Sequence, residues 1–131
     1  MTPSMSISLW CKKGGRYPDE ILKEDDTTMT VRYCGQKNGR NDKYVKDATH
    51  FFHKENKKAH YNYRGRITNV TPLESEMQLH DGKNRLVAIF ELTVTKEPVQ
   101  SFRIKEDAYH HFGWRMIGLE FRSGIIKHTL A

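Results

Sequence analysis

The chain has 131 residues and carries 22 basic and 16 acidic side chains, so its formal net charge is +6 with all seven histidines neutral. This length fits a single domain over 1–131. The chain is 37% hydrophobic and contains six Phe, six Tyr and two Trp, which is enough to build a core. This composition excludes a fully disordered chain. Without an apolar run of roughly 18 residues or a secretion-signal pattern, we expect an intracellular protein, cytoplasmic or nuclear, with no membrane contact.

Alternating apolar and polar residues predict strands in the first half of the chain. Four segments show this pattern: 6–12, 28–34, 48–53 and 60–70. Pro18 and the carboxylates after it suit the first turn of a helix, and therefore predict a short helix over 18–23. The Asn and Gly content of residues 37–42 predicts a flexible loop, and a charged turn over 54–58 would join the last two strands.

The second half of the chain contains the most apolar strand. In residues 86–95, apolar side chains occupy both alternating sets of positions, which is typical of a strand buried on both faces. We therefore expect this strand to be central in the sheet. A short strand over 100–104 precedes a helix over 105–112, which ends at Gly113 because glycine suits a left-handed C-cap. Two last strands are predicted, over 116–122 and 124–129.

These elements together predict the fold class. About seven short strands and one or two short helices indicate an α+β domain that is mostly β, built as a small, closed or nearly closed, mixed β-barrel.

The positive charge is concentrated in one segment. Residues 37–66 contain nine basic and three acidic side chains, whereas the other 101 residues contain 13 of each sign. Upstream, residues 19–26 contain five carboxylates and one lysine. Because a local excess of charge marks a surface, we expect a nearly neutral domain with one basic face.

Within that segment, basic residues alternate with tyrosines. Tyr61 and Tyr63 are two positions apart and therefore face the same side of a strand. A base can stack on such a ring for roughly 1–3 kcal/mol while cations neutralise phosphates. The predicted phosphate contacts are Lys54, Lys57, Lys58, Arg64 and Arg66. Strict alternation puts the two arginines opposite the tyrosines, unless a bulge at Gly65 bends the strand.

A second candidate site lies after the predicted helix. Trp114 and Arg115 put a ring beside a guanidinium group, where stacking and a phosphate contact can coincide. Trp114 also fits a position capping the core. Phe52 is a further candidate for stacking. For the basic segment, the alternative is that its tyrosines are core residues and its lysines a solvated turn.

Two segments resemble a known family. The residues DATHFFHKEN (47–56) and YRGRITNV (63–70) resemble PUA-like barrels of the EVE, YTH and ASCH kind. In those families a strand with an aromatic pair is followed, after a variable turn, by a strand of the form Gly-x-Ile/Val-x-x-Val, which Gly65, Ile67 and Val70 match. The resemblance implies a small barrel that binds nucleic acid, in several members holding a modified base in an aromatic pocket.

The histidines and cysteines do not indicate a metal site. His50 and His53 face opposite sides of a strand, and the adjacent His110 and His111 diverge on a helix, so the geometry of both pairs disfavours chelation of an ion. Cys11 and Cys34 are too few for a disulfide scaffold and lack a CxxC spacing, so both are expected to be reduced. We therefore expect no metal and no cofactor.

Two nuclease chemistries make different demands on the sequence. A metal-dependent nuclease of the PD-(D/E)xK type needs an acid two residues before a lysine, but Glu91 and Lys96 are five positions apart. Metal-independent cleavage by His53, His60 and Lys58 stays open. The sequence thus leaves three hypotheses: a non-catalytic module for nucleic acid or nucleotides, a small nuclease or nucleotide-cleaving enzyme, and a module that binds an acidic protein.

Overall fold

A computed structural model describes residues 5–12, 19–35, 42–54, 60–118 and 124–130. Ten strands lie in these ranges: β1 (Met5–Lys12), β2 (Glu20–Glu24), β3 (Thr28–Cys34), β4 (His50–Lys54), β5 (Tyr61–Pro72), β6 (Glu76–His80), β7 (Lys83–Val87), β8 (Ile89–Phe102), β9 (Trp114–Gly118) and β10 (Ile125–Leu130). They also contain a 3₁₀ helix, Asp42–Asp47, and one α-helix, α1 (Lys105–Phe112). The predicted mostly β class is confirmed.

Eight of these strands form one sheet, in the order β2-β3-β8-β5-β4-β1-β10-β9, and β6 pairs with β7 in a separate hairpin. The sheet is mixed, as predicted, because β1 and β4 run parallel while the other described pairs are antiparallel. The predicted closed barrel is not seen, since β2 and β9 are edge strands within the described ranges. Alternation in the sequence indicates which face of a strand is buried, but not which strand lies at an edge.

The sheet is covered on both of its faces. On one face, Leu9, Phe51 and Leu92 belong to a cluster with side chains of β3 and β10. On the other face, Phe52 and Tyr63 pack with the buried side of α1 and with Trp10 and Trp114. Because side chains alternate between faces, the neighbours Phe51 and Phe52 enter different clusters. This two-sided burial explains why β4 is buried continuously from His50 to His53.

Several predicted elements are confirmed and others are wrong. The strands over 6–12 and 28–34 and the helix over 105–112 are present, and Gly113 ends that helix with a φ of 70°. The helix predicted over 18–23 is wrong, because Glu20–Glu24 is a strand that pairs antiparallel with β3. A segment this short has little intrinsic helical stability, so pairing with a neighbouring strand decides its structure.

The apolar segment 86–95 is not one strand. β7 ends at Val87, and β8 begins at Ile89 and continues to Phe102, so it includes most of the separate strand predicted over 100–104. β8 is nevertheless central, between β3 and β5. The break allows β7 to pair with β6 across Asp81 and Gly82, whose φ values of 53° and 75° form a tight two-residue turn.

The remaining predictions lie partly beyond the described ranges. The strands over 48–53 and 60–70 correspond to β4 and β5, and that over 124–129 corresponds to β10. The strand over 116–122 begins earlier, as β9, and its last residues are outside the described ranges. Most of the 37–42 loop and of the 54–58 turn also lies outside them.

A β-bulge interrupts β5 at the position that the sequence suggested. Against β4, Phe51 pairs with Gly65 and Phe52 with Tyr63, which leaves Arg64 as the extra residue. Against β8 the register also shifts between Tyr63 and Gly65, and the longer unpaired stretch, 97–99, lies on β8. Gly65 has a φ of 148°, and a Cβ on it would overlap the carbonyl oxygen of Thr95 in β8. After the bulge, Arg66 pairs with His50, just as Tyr63 pairs with Phe52. Arg66 therefore lies on the same face of the sheet as Tyr63.

We expect Gly65→Ala to lower the free energy of unfolding by at least about 2 kcal/mol, because Ala adds both backbone strain and a clash. Gly82→Ala is the matched control, since Gly82 also has a positive φ but a Cβ added there would meet nothing within 4 Å. Urea denaturation measures the free energy of unfolding of both variants. An equal loss in the two variants would contradict the close approach of β5 to β8.

Candidate functional site

A pocket of about 380 Å³ opens on the face of the sheet that carries α1. Its volume lies within the range of about 300–1,000 Å³ that is usual for small-molecule sites. Among the described lining side chains, four are aromatic rings and four others are polar or charged. The rings are His50, Tyr63, Phe112 and Trp114; the other polar groups are Ser6, Arg66, Glu97 and Gln100.

The four rings support one another. Phe112 and Trp114 are stacked with centroids 4.4 Å apart, and Tyr63 meets Phe112 edge to face at 5.1 Å. His50 meets Trp114 edge to face at 4.9 Å. The left-handed turn at Gly113 reverses the chain between helix and strand, which places Phe112 and Trp114 together. Such ring pairs are favourable beyond their burial, so the aromatic walls are well ordered before any ligand enters.

His50 presents a hydrogen-bond acceptor on this side of the sheet. The Thr49 hydroxyl donates to the Ile7 carbonyl oxygen at 3.0 Å, so its oxygen accepts from Nδ1–H of His50 at 2.7 Å. The neutral ring therefore carries its lone pair on Nε2. Burial, and then the charge of Arg66, lower the pKa of His50 to about 4, so the ring is neutral at pH 7.

A second histidine lies behind the aromatic wall. His128 is fully buried and stacks on Trp114 with centroids 3.8 Å apart. Burial, and then His50, lower its pKa to about 4. Neither ring nitrogen of His128 has a hydrogen-bond partner among the described residues. The wall behind Trp114 is therefore uncharged at neutral pH.

The rim of the pocket carries charges of both signs. The Tyr63 hydroxyl donates to a carboxylate oxygen of Glu97, and burial, with that hydrogen bond, raises the pKa of Tyr63. Arg66 is exposed and forms no hydrogen bond with the described part of the chain. Gln100 is half-buried and offers both a donor and an acceptor. The rim can therefore satisfy a ligand whose edge mixes donors and acceptors.

The structure brings together three of the residues predicted from sequence: Tyr63, Arg66 and Trp114 line this one pocket. Tyr61 and Lys54 lie beside it, with the Lys54 ammonium 5.4 Å from the centroid of the Tyr61 ring.

The other predicted binding residues are elsewhere. Arg64 is 9% exposed and forms an ion pair with Glu24 at 2.9 Å, so its guanidinium group is engaged on the opposite face. Phe52 is fully buried and stacked on Trp10 at 3.8 Å, so its ring faces are covered. Arg115 is exposed on β9. Lys57 and Lys58 lie outside the described residues.

The candidate catalytic residues do not form a group in the described part of the chain. His53 is buried and its ring lies 6.0 Å from that of Phe51, on the face opposite the pocket. His60 is exposed, and Lys58 lies outside the described ranges. Among the residues that the structure describes, no three His, Cys, Asp or Glu side chains converge to hold a metal.

No protein-family model, curated protein or solved structure significantly matches this chain. Within the described ranges, no helix has the length and apolar character needed to cross a membrane.

Seven of the ten described residues that line the pocket were not predicted as binding residues, among them His50, Glu97, Gln100 and Phe112. His50 was considered only as a metal ligand. Glu97 and Gln100 lie in the second half of β8, and only Gln100 falls within a strand predicted from the sequence. A signal did exist for Phe112, because it is separated from Trp114 only by the glycine of the helix end.

The lowered pKa values of the two histidines make stability depend on pH. In the unfolded chain these histidines have a pKa of about 6.5, so below this pH the unfolded chain binds protons that the folded chain does not bind. The free energy of unfolding therefore falls as the pH drops from 6.5 to 4. We expect the stability of the wild type relative to His128→Phe to decrease over this range, by no more than about 1.4 kcal/mol per pH unit.

Urea denaturation at several pH values measures this difference, and His50→Gln provides a second variant. Burial raises the pKa of Asp19 to about 7, and this carboxyl group titrates with the opposite sign, so the variant comparison isolates the histidine. If the free energy of unfolding changed with pH in the same way in the wild type and in both variants, neither ring would be held neutral by burial.

Proposed function

We propose that the protein binds nucleic acid by taking one unpaired or flipped-out base into the pocket between Tyr63, Phe112 and Trp114. The observation that carries this proposal is the combination of stacked aromatic walls with the exposed guanidinium group of Arg66 at the rim.

The chemistry of the walls suits a flat heterocycle. A base can stack on an aromatic ring for roughly 1–3 kcal/mol, and its edges display donors and acceptors side by side. Nε2 of His50 and the Glu97 carboxylate can accept hydrogen bonds, Arg66 can donate, and Gln100 can do both. A purely apolar ligand would leave these groups unpaired, which is unfavourable. The set therefore favours a polar, planar ligand.

The charge of the chain supports a polyanionic partner. Residues 37–66, which include β4 and the first part of β5, hold the local excess of basic side chains. A nucleic acid strand attached to a base in the pocket would have to pass close to this segment. Its phosphates would then displace counterions, which strengthens binding at low salt.

The PUA-like architecture, with a modified base as the ligand, belongs to the same proposal. Its support is the aromatic pair Phe51 and Phe52 on β4, next to the strand that carries Gly65, Ile67 and Val70. An intracellular location and the lack of a cofactor also stay predictions.

Fluorescence anisotropy with labelled 12-nucleotide single strands of DNA and RNA, and with the corresponding duplexes, tests the proposal. We expect single strands to bind more tightly than duplexes, because flipping a base out of a duplex costs a few kcal/mol. Phe112→Ala should weaken binding about 5- to 100-fold by removing one stacking wall, with folding checked by thermal unfolding.

Arg66→Gln should also weaken binding, and Arg85→Gln is its matched control, because Arg85 lies in the β6-β7 hairpin outside the pocket. The control separates a local contact from the general loss of one positive charge. The proposal would be overturned by a wild type that binds no oligonucleotide at low salt. It would equally be overturned if Phe112→Ala bound like the wild type and Arg66→Gln like Arg85→Gln.

A further inference from the structure

Three lysines meet at one end of the face that carries the pocket. Lys12 ends β1, Lys54 ends β4, and the two are register partners in the parallel pair of strands. Lys105 begins α1. Its ammonium group lies 5.6 Å from the ring centroid of Trp10 and 5.8 Å from that of Tyr61. Lys54 lies over the same Tyr61 ring.

This lysine cluster, Lys12, Lys54 and Lys105, faces the same side as the pocket. Along β4, His50, Phe52 and Lys54 are each two residues apart and therefore share one face. Tyr61, beneath the lysines, and Tyr63, in the pocket, share that face on β5 in the same way. From His50 to Lys54 the distance along the strand is about 13 Å, at about 3.3 Å per residue. A flexible ligand of modest length can reach both.

Within the lysine cluster, the charge of Lys12 acts on Lys105. Burial, and then the charge of Lys12, lower the pKa of Lys105 to about 8, and the attraction of Glu106 is the weakest of the three effects. The charges of Lys12 and Lys105 repel each other, and an anion between them would offset that repulsion. Contact with an aromatic ring explains the positions of Lys54 and Lys105, whereas the charge of Lys12 acts on Lys105 by repulsion.

We propose that Lys12, Lys54 and Lys105 form a phosphate subsite, which holds the backbone of the same nucleic acid strand whose base enters the pocket. This inference rests on the proposed function and extends it, because it makes the ligand a strand of at least two nucleotides. A mononucleotide cannot fill both places, so it binds more weakly than an oligonucleotide.

The salt dependence of oligonucleotide binding tests the subsite. For single strands, each phosphate contact contributes about −0.7 to the slope of log K against log salt concentration. The variant Lys12→Gln/Lys54→Gln/Lys105→Gln should therefore reduce the magnitude of the slope by about 2, measured by anisotropy with the 12-nucleotide single strand. Each single variant should reduce it by about 0.7, which keeps the test valid if the triple variant fails to fold.

The control variant Lys23→Gln/Lys83→Gln/Arg85→Gln changes the net charge equally. These residues lie on β2 and β7, outside residues 37–66 and away from the lysine cluster. We expect its slope to stay within about 0.5 of the wild-type value. Equal slopes for the two triple variants would overturn the subsite.

The outcomes separate this inference from the proposed function. If the lysine variants keep the wild-type affinity and slope while Phe112→Ala weakens binding, the subsite is overturned and the base pocket stands. If the lysine variants reduce the slope but Phe112→Ala and Arg66→Gln bind as their controls do, the pocket is overturned and the phosphate contacts stand. Inorganic phosphate or polyglutamate competing as well as an unlabelled 12-nucleotide strand would overturn the assignment to a nucleic acid backbone.

A second measurement tests the lysine cluster without any ligand. Lys12→Gln removes a repelling charge and should raise the pKa of Lys105 above its value of about 8. NMR titration of ¹³C-methylated lysines measures this pKa, with Lys83→Gln as the control. Adding the 12-nucleotide strand should raise the Lys105 pKa further, because a phosphate favours the charged amine. An unchanged Lys105 pKa in Lys12→Gln, or on adding the strand, would contradict the subsite.

Discussion

The close approach of β5 to β8 at Gly65 is the constraint on which the pocket depends. The backbone there leaves no room for a Cβ against the carbonyl oxygen of Thr95, and at the same point of β5 Arg64 is an extra residue relative to β4. Without that extra residue, Arg66 would lie on the opposite face from Tyr63. One glycine therefore decides that a guanidinium group and an aromatic wall share the same pocket.

The pocket combines an uncharged interior with a charged rim. His50 and His128 stay neutral because burial opposes their protonation, and both contact the Trp114 ring. Arg66 and Glu97 are exposed at the rim. In the proposed complex, the neutral aromatic walls contact the face of a base and the rim contacts its edges. The lysine cluster adds positive charge at the far end of the same face.

Some helices and strands could be predicted from the sequence and others could not, for physical reasons. β1, β3 and α1 follow from local patterns, since alternation and a glycine cap act within a few residues. β2 was mistaken for a helix because its pairing with β3 is not a local property. The β6-β7 hairpin was missed although Asp81-Gly82 is a strong turn signal, since the apolar residues after it looked like one continuous strand.

By itself, the sequence determined the mostly β class, the concentrated charge of residues 37–66, the shared face of Tyr61 and Tyr63, and the possibility of a bulge at Gly65. These properties depend on residue type and short spacing alone. Only the tertiary structure decided that Phe112, stacked on Trp114, would meet Tyr63, that Arg64 would pair with Glu24, and that Lys105 and Lys54 would both contact the Tyr61 ring. Those contacts join residues far apart in the chain, and strand order and register, which alternation does not encode, bring them together.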